Sequence, residues 1–112
     1  MMNEQMTRLL EVIKEDYLRW TSRNFTKELT DINKSMIEEF NEGLEIQEGR
    51  KYIKVISNRS VWGFVVATDN DKKFKRGDIL KAAGWAAPAR NAARGNIFDE
   101  EYDVQWTGPN YL

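Results

Sequence analysis

The chain has 112 residues and a mass of 13.1 kDa, which is enough for one domain with one core. Its 5 Phe, 4 Trp and 4 Tyr residues argue against a disordered chain. Cysteine and histidine are both absent, which excludes disulfides, thiolate nucleophiles, the usual zinc sites and any Ser-His or Cys-His dyad. The formal net charge is −1, so the chain as a whole is not attracted to polyanions.

The first part of the chain, residues 3–43, is predicted to be helical, because it contains no proline and its first glycine is Gly43. Its apolar residues form two stripes that one straight helix would place on different faces. The first stripe is Met6, Leu9, Leu10, Ile13, Tyr17 and Trp20, and the second is Phe25, Leu29, Ile32, Met36 and Phe40. Two helices broken around residues 21–24, with Asn24 capping the second, are the simpler solution. One long helix whose halves face different partners, as in a dimer, is the alternative.

The rest of the chain, residues 44–112, is predicted to form a β-sheet. The runs 51–56 and 61–66 are rich in β-branched and aromatic residues and predict a hairpin, with the second strand central and covered. Further strands are expected at 77–81 and 102–107, and a short helix is expected at 88–94, between Pro88 and Gly95. The ending, from Trp106 onward, is expected to pack on the body.

These elements predict a single α+β domain over residues 1–112, in which two amphipathic N-terminal helices pack on a small antiparallel sheet. No apolar run reaches the roughly 20 residues of a membrane span, and the N-terminal sequence lacks the features of a signal peptide. We therefore expect a cytoplasmic protein without membrane association.

Charge is segregated along the chain. Residues 1–48 carry 6 basic and 11 acidic side chains, residues 49–97 carry 11 and 3, and residues 98–112 carry 4 acidic side chains only. Within the basic middle segment, 50–94, six residues are candidates for binding an anion or a nucleic acid, because cations can hold phosphates and aromatic rings can stack on bases. The six candidates are Arg59, Lys73, Arg76, Trp85, Arg90 and Arg94.

Two of these candidates, Arg90 and Arg94, would share one face of the predicted short helix. Side by side they suit a phosphate or carboxylate ligand. We favour ion pairs within the chain instead, because the acidic residues of the segment 99–103 follow closely in the sequence and can pair with Arg90 and Arg94. No pattern predicts a metal ion or a cofactor: the Asp69-Asn70-Asp71 run lacks the later ligands of a calcium loop and is interpreted as a turn.

A resemblance is carried by residues 74–85, by Pro88-Ala89-Arg90, by residues 94–97 and by Trp106-Thr107-Gly108-Pro109. These stretches, about a third of the chain, resemble a group of small uncharacterised proteins of bacteriophage genomes, marine phages among them. The resemblance implies a phage accessory setting and brings no activity with it.

The sequence therefore favours a non-enzymatic binding or interaction module, and it predicts a homodimer through the N-terminal helices. A nucleic-acid or phosphate-binding protein that uses the basic middle segment is the alternative. An enzyme that works through carboxylates and Arg or Lys side chains stays open as a third class, but no recognisable catalytic motif supports it.

Overall fold

The computed structural model describes residues 3–23, 28–102 and 104–109. Two helices come first, α1 (Asn3–Thr21) and α2 (Asp31–Glu42). The predicted division into two helices is confirmed, because α1 ends at Thr21 and α2 begins only at Asp31. The first apolar stripe buries Met6, Leu9, Ile13 and Tyr17 in α1. Of the second stripe, Phe40 is buried in α2, whereas Ile32 and Met36 are exposed. The predicted cap is wrong, since α2 begins after Thr30, whose side chain accepts a hydrogen bond from the Asn33 amide. Asn24 and Phe25 lie outside the described residues.

Four antiparallel strands follow in the order β1-β2-β3-β4. They are β1 (Leu44–Glu48), β2 (Tyr52–Ser57), β3 (Ser60–Val66) and β4 (Ile79–Lys81). The predicted hairpin is confirmed as β2 and β3, and β3 is central and buried on both faces as expected. A bulge between Val55 and Ile56 leaves Trp62 without a directly opposite partner, and its side chain is buried.

The last strand predicted from the sequence, over 102–107, does not join this sheet. The chain forms only β5 (Val104–Gln105), which pairs with β6 (Gly108–Pro109) as a separate two-stranded ribbon. The chain turns back at Trp106 and Thr107 instead of running on, and Gly108, which begins β6, has a positive φ of 150°. Val104 is buried and Trp106 is half-buried. Asp103, which falls within the predicted strand, lies outside the described residues.

The two faces of the main sheet are covered differently. On one face, α1, α2 and the β5–β6 ribbon enclose the larger core with Val55, Trp62 and Val65. On the other face, Phe64, Val66, Phe74 and Leu80 form a smaller core under the segments 67–76 and 82–94. The α+β class is therefore as predicted, with loops rather than helices on the second face.

The short helix predicted at 88–94 is absent from the structure. Pro88 forms an isolated bridge with Ala82, and the amides of Ala89 and Arg94 donate to the carbonyls of Lys81 and Ile79. These amides pair with the exposed edge of β4 instead of with the preceding turn of a helix. Arg90 and Arg94 consequently do not share a helical face.

Candidate interaction surfaces

Arg90 is held by an internal ion pair. Its guanidinium donates two 2.9 Å hydrogen bonds to the carboxylate of Asp71 and a further one to the hydroxyl of Tyr52, and it lies 4.9 Å above the ring of Phe74. The bonds from Arg90, together with the backbone amides of Lys73 and Phe74, hold the pKa of Asp71 well below its usual range. The expected pairing of Arg90 with residues 99–103 is therefore wrong, and the partner is the Asp71 of the predicted turn.

Lys73 and Arg94 are also engaged within the same region. The ammonium group of Lys73 donates to the carbonyls of Arg90 and Asn91, the second at 2.9 Å. Arg94 donates to the carbonyl of Ala92 at 3.1 Å and to the side chain of Asn91 at 3.0 Å. These hydrogen bonds hold the segment 90–94 over the smaller core, and we therefore assign a structural role to Lys73 and Arg94.

The other three candidates lie apart. Arg59 occupies the turn between β2 and β3, at the far end of the hairpin from Tyr52. Arg76 is half-buried, its carbonyl accepts from Asn96, and within the described residues its Nε has no hydrogen-bond partner. Trp85 is 55% exposed in the segment 83–87. The six candidates therefore do not form one site. Lys73, Arg90 and Arg94 lie in one region, whereas the other three lie apart from it.

A groove lined by a different set of basic residues lies next to Trp85. The ammonium group of Lys54 lies 4.4 Å from the centre of its ring. This groove, of about 260 Å³, lies between the β1–β2 turn and Ala86, and its lining includes Arg50, Lys51 and Lys54. Sequence reasoning placed these residues in the basic segment but did not single them out, because they reach the segment that contains Trp85 only through the pairing of β2 with β3 and of β3 with β4.

The described part of the acidic segment, residues 99–102, contacts α1. The guanidinium of Arg8 donates to the backbone carbonyls of Asp99, at 2.8 Å, and of Glu100. The same guanidinium lies 5.1 Å from the ring centre of Tyr102, and burial raises the pKa of that hydroxyl. Within the described ranges, no group of three or more Asp or Glu residues is arranged to hold a metal ion.

A second groove, of about 950 Å³, lies where the end of α1, α2 and the β5–β6 ribbon meet. Its apolar lining is Trp20, Met36 and Trp106. The backbone amide of Trp106 donates a 2.9 Å hydrogen bond to the carboxylate of Asp16, which fixes the ribbon to α1. Beneath it, Tyr17 and Phe40 stack at 4.1 Å, and Trp106 meets both rings edge-on.

The surface around this groove, which we call the helical-end surface, exposes large apolar side chains. Trp20 is 59% exposed, Ile32 is 74% exposed and Met36 is 38% exposed. Ile32 and Met36 are four residues apart on α2 and therefore share one side of that helix. Patches of this kind on a small protein commonly mark a contact surface.

The fold and these surfaces define a small α+β protein with two helices on a four-stranded antiparallel sheet. Its described residues form an exposed apolar surface and a cationic–aromatic groove. The chain belongs to a family of unknown function, DUF7717, whose model matches residues 1–111. Searches of curated proteins and of solved structures found no match. Within the part of the chain that the structure describes, neither helix has the length and apolar character needed to cross a membrane.

Proposed function

We propose that this protein is a non-enzymatic interaction module and that its helical-end surface binds a second copy of the same chain. The observation that carries the proposal is the exposure of Trp20, Ile32 and Met36 together at one end of the helical layer. Burial of apolar area is the main driving force of protein association, and these side chains are not buried within the monomer.

The shape of this surface suits a second copy. Ile32 projects from α2, and Met36, one turn later, lines the groove beside it. A projecting side chain and a groove that lie side by side are self-complementary, because a two-fold axis between them lets each Ile32 enter the groove of the other copy. Trp20 and Trp106 would then bury further area around the inserted side chain.

The alternative that relies on Arg90 and Arg94 has less support. Both guanidiniums donate to groups of their own loop region, and Arg90 has a carboxylate partner in Asp71. An external phosphate would have to displace that carboxylate from Arg90. We also propose the cytoplasmic, phage-encoded setting that the sequence predicts. The phage origin rests only on the resemblance over about residues 74–112.

The proposal is tested by sedimentation velocity on matched variants over a concentration range up to high micromolar. Ile32→Glu places a charge on the inserting side chain, and we expect at least a tenfold weaker dimer. Phe98→Glu is the control, because Phe98 is 46% exposed but lies outside the helical-end surface. Equal dimerisation of Ile32→Glu and the unmodified chain would overturn the proposed interface. Circular dichroism verifies that both variants keep their helices.

A further inference from the structure

We infer that the groove beside Trp85 binds single-stranded nucleic acid, with the indole stacking on a base and Arg50, Lys51 and Lys54 holding the phosphates. The site is independent of the proposed dimer surface. Lys54 pairs across the sheet with Phe64, which belongs to the smaller core, whereas the helices cover the other face. It also differs from the Arg90 and Arg94 pair considered from the sequence.

The backbone presents Trp85 in a closed loop. Ala82 and Pro88 form an antiparallel bridge at its base. Inside the loop, the amides of Ala83 and Gly84 both donate to the carbonyl of Ala87, at 3.0 and 3.1 Å. Trp85 stays 55% exposed at the tip although Lys54 lies over its ring. A large aromatic ring on a constrained loop loses little conformational entropy when it stacks on a ligand.

The charges around the groove select an anion. Arg50 and Lys51 are the two central residues of the turn between β1 and β2, since the Gly49 amide donates to the Tyr52 carbonyl across them. Both are exposed, and with Lys54, which lies over the ring of Trp85, they give three cations in the lining of the groove. Among the described lining residues, Glu48 is the only one with a negative charge. The nearby carboxylate of Asp71 is already neutralised by Arg90.

A protein that binds single-stranded nucleic acid needs cations along a groove and an exposed aromatic ring next to it. The cations neutralise the sugar-phosphate backbone, and the ring accepts any unpaired base, whose face is hidden in a duplex. An acidic peptide would use the cations but would gain nothing from stacking on Trp85. The aromatic ring therefore favours an unpaired nucleic acid over other polyanions.

The test measures binding of the protein to labelled 12-nucleotide oligo(dT) and oligo(U) by fluorescence anisotropy at several salt concentrations. We expect binding at low salt that weakens steeply as salt rises, because each phosphate contact releases counterions. Trp85→Ala should weaken binding by about 5- to 100-fold through loss of stacking. Arg50→Ala with Lys51→Ala should reduce the slope of log affinity against log salt by about 1.4, at about 0.7 for each lost contact to a single strand.

Two control variants separate this site from general electrostatics. Lys72→Ala with Lys75→Ala removes the same charge from exposed positions that do not line the groove, and Phe98→Ala removes another exposed aromatic ring. Both should stay within about threefold of the unmodified chain, because neither contacts the strand. Ile32→Glu should also bind each strand as the unmodified chain does, which separates this site from the dimer surface.

Four results would overturn the inference. They are absence of binding at low salt, unchanged affinity of Trp85→Ala, equal affinity for a duplex of the same length, and equally effective competition by polyglutamate. Tighter binding of oligo(U) than of oligo(dT), or the reverse, supports the site in either case and identifies RNA or DNA as the favoured strand.

Discussion

The indole Nε1–H of Trp62 donates a 2.8 Å hydrogen bond to the backbone carbonyl of Gln105. Trp62 lies at the bulge of the β2–β3 hairpin, and Gln105 lies in the β5–β6 ribbon, 43 residues later. The bond satisfies a buried donor and fixes the ribbon on the sheet. Because Trp106 follows Gln105 directly and lines the helical-end groove, the same bond positions one wall of the proposed dimer surface.

Trp62→Phe should therefore destabilise the protein. The variant keeps an aromatic ring in the core but removes the donor, which leaves the Gln105 carbonyl without this partner. We expect the free energy of unfolding to fall by about 1–2 kcal/mol, from the lost bond and the smaller ring. Urea unfolding measures the change. Trp85→Phe is the matched control and should stay within about 0.5 kcal/mol, since Trp85 is exposed.

Gly63 should not tolerate a side chain. A Cβ atom added there would lie 2.8 Å from the carbonyl oxygen of Leu80 and 2.9 Å from the ring of Pro109, so the ribbon would have to move away from β3. We expect Gly63→Ala to cost about 1–3 kcal/mol, the usual range for overpacking. At Gly84 the same atom would meet nothing within 4 Å. Thermal unfolding that is equally perturbed in Gly63→Ala and Gly84→Ala would contradict this packing.

Acid should weaken the contact between Asp71 and Arg90. The bonds from Arg90 and from two backbone amides hold the pKa of Asp71 below the ordinary aspartate value of about 3.9. Because the folded state favours the ionised carboxylate, this stabilisation is present above the unfolded pKa and is lost as the pH falls toward the folded pKa. Asp71→Asn should therefore be less stable than the unmodified chain at pH 7, and the difference should shrink below about pH 4. A difference in melting temperature that is independent of pH would contradict this assignment.

The start of α2 depends on Thr30. Its side-chain oxygen accepts from the Asn33 amide at 3.1 Å, and the Asn33 side chain accepts from the Thr30 amide at 3.3 Å. Thr30→Ala should lower the free energy of unfolding by about 1 kcal/mol, whereas Thr30→Ser should retain nearly all of it. Chemical denaturation of the two variants compares them directly. Equal losses in both would mean that the hydroxyl does not cap the helix.

The sequence was most informative where burial follows a regular period. The stripe with Met6, Leu9 and Ile13 predicted α1, and the apolar run 61–66 predicted the central strand β3, because each pattern requires that its face be covered. The strand β1 was missed, since its five residues are half-buried or exposed and three of them are polar. An edge strand of this kind depends on pairing with β2 rather than on its own composition.

The short helix at 88–94 and the expected partner of Arg90 were wrong for a different reason. Pro88 and Gly95 are typical of a short helix, but the neighbouring edge of β4 takes the amides of Ala89 and Arg94 instead. The nearest acidic residues in the sequence also proved to be the wrong partner for Arg90, because Asp71, 19 residues earlier, lies beside it in space. Long-range pairing of this kind carries no periodic signal, so a single sequence could not specify it.

Light scattering coupled to size-exclusion chromatography tests the central claim most directly. The unmodified chain, of 13.1 kDa, should give a molar mass that approaches twice that value at high micromolar concentration and falls toward the monomer on dilution. Ile32→Glu should give the monomer mass at the same concentration. A monomer mass for the unmodified chain across the whole range would contradict self-association through the helical-end surface.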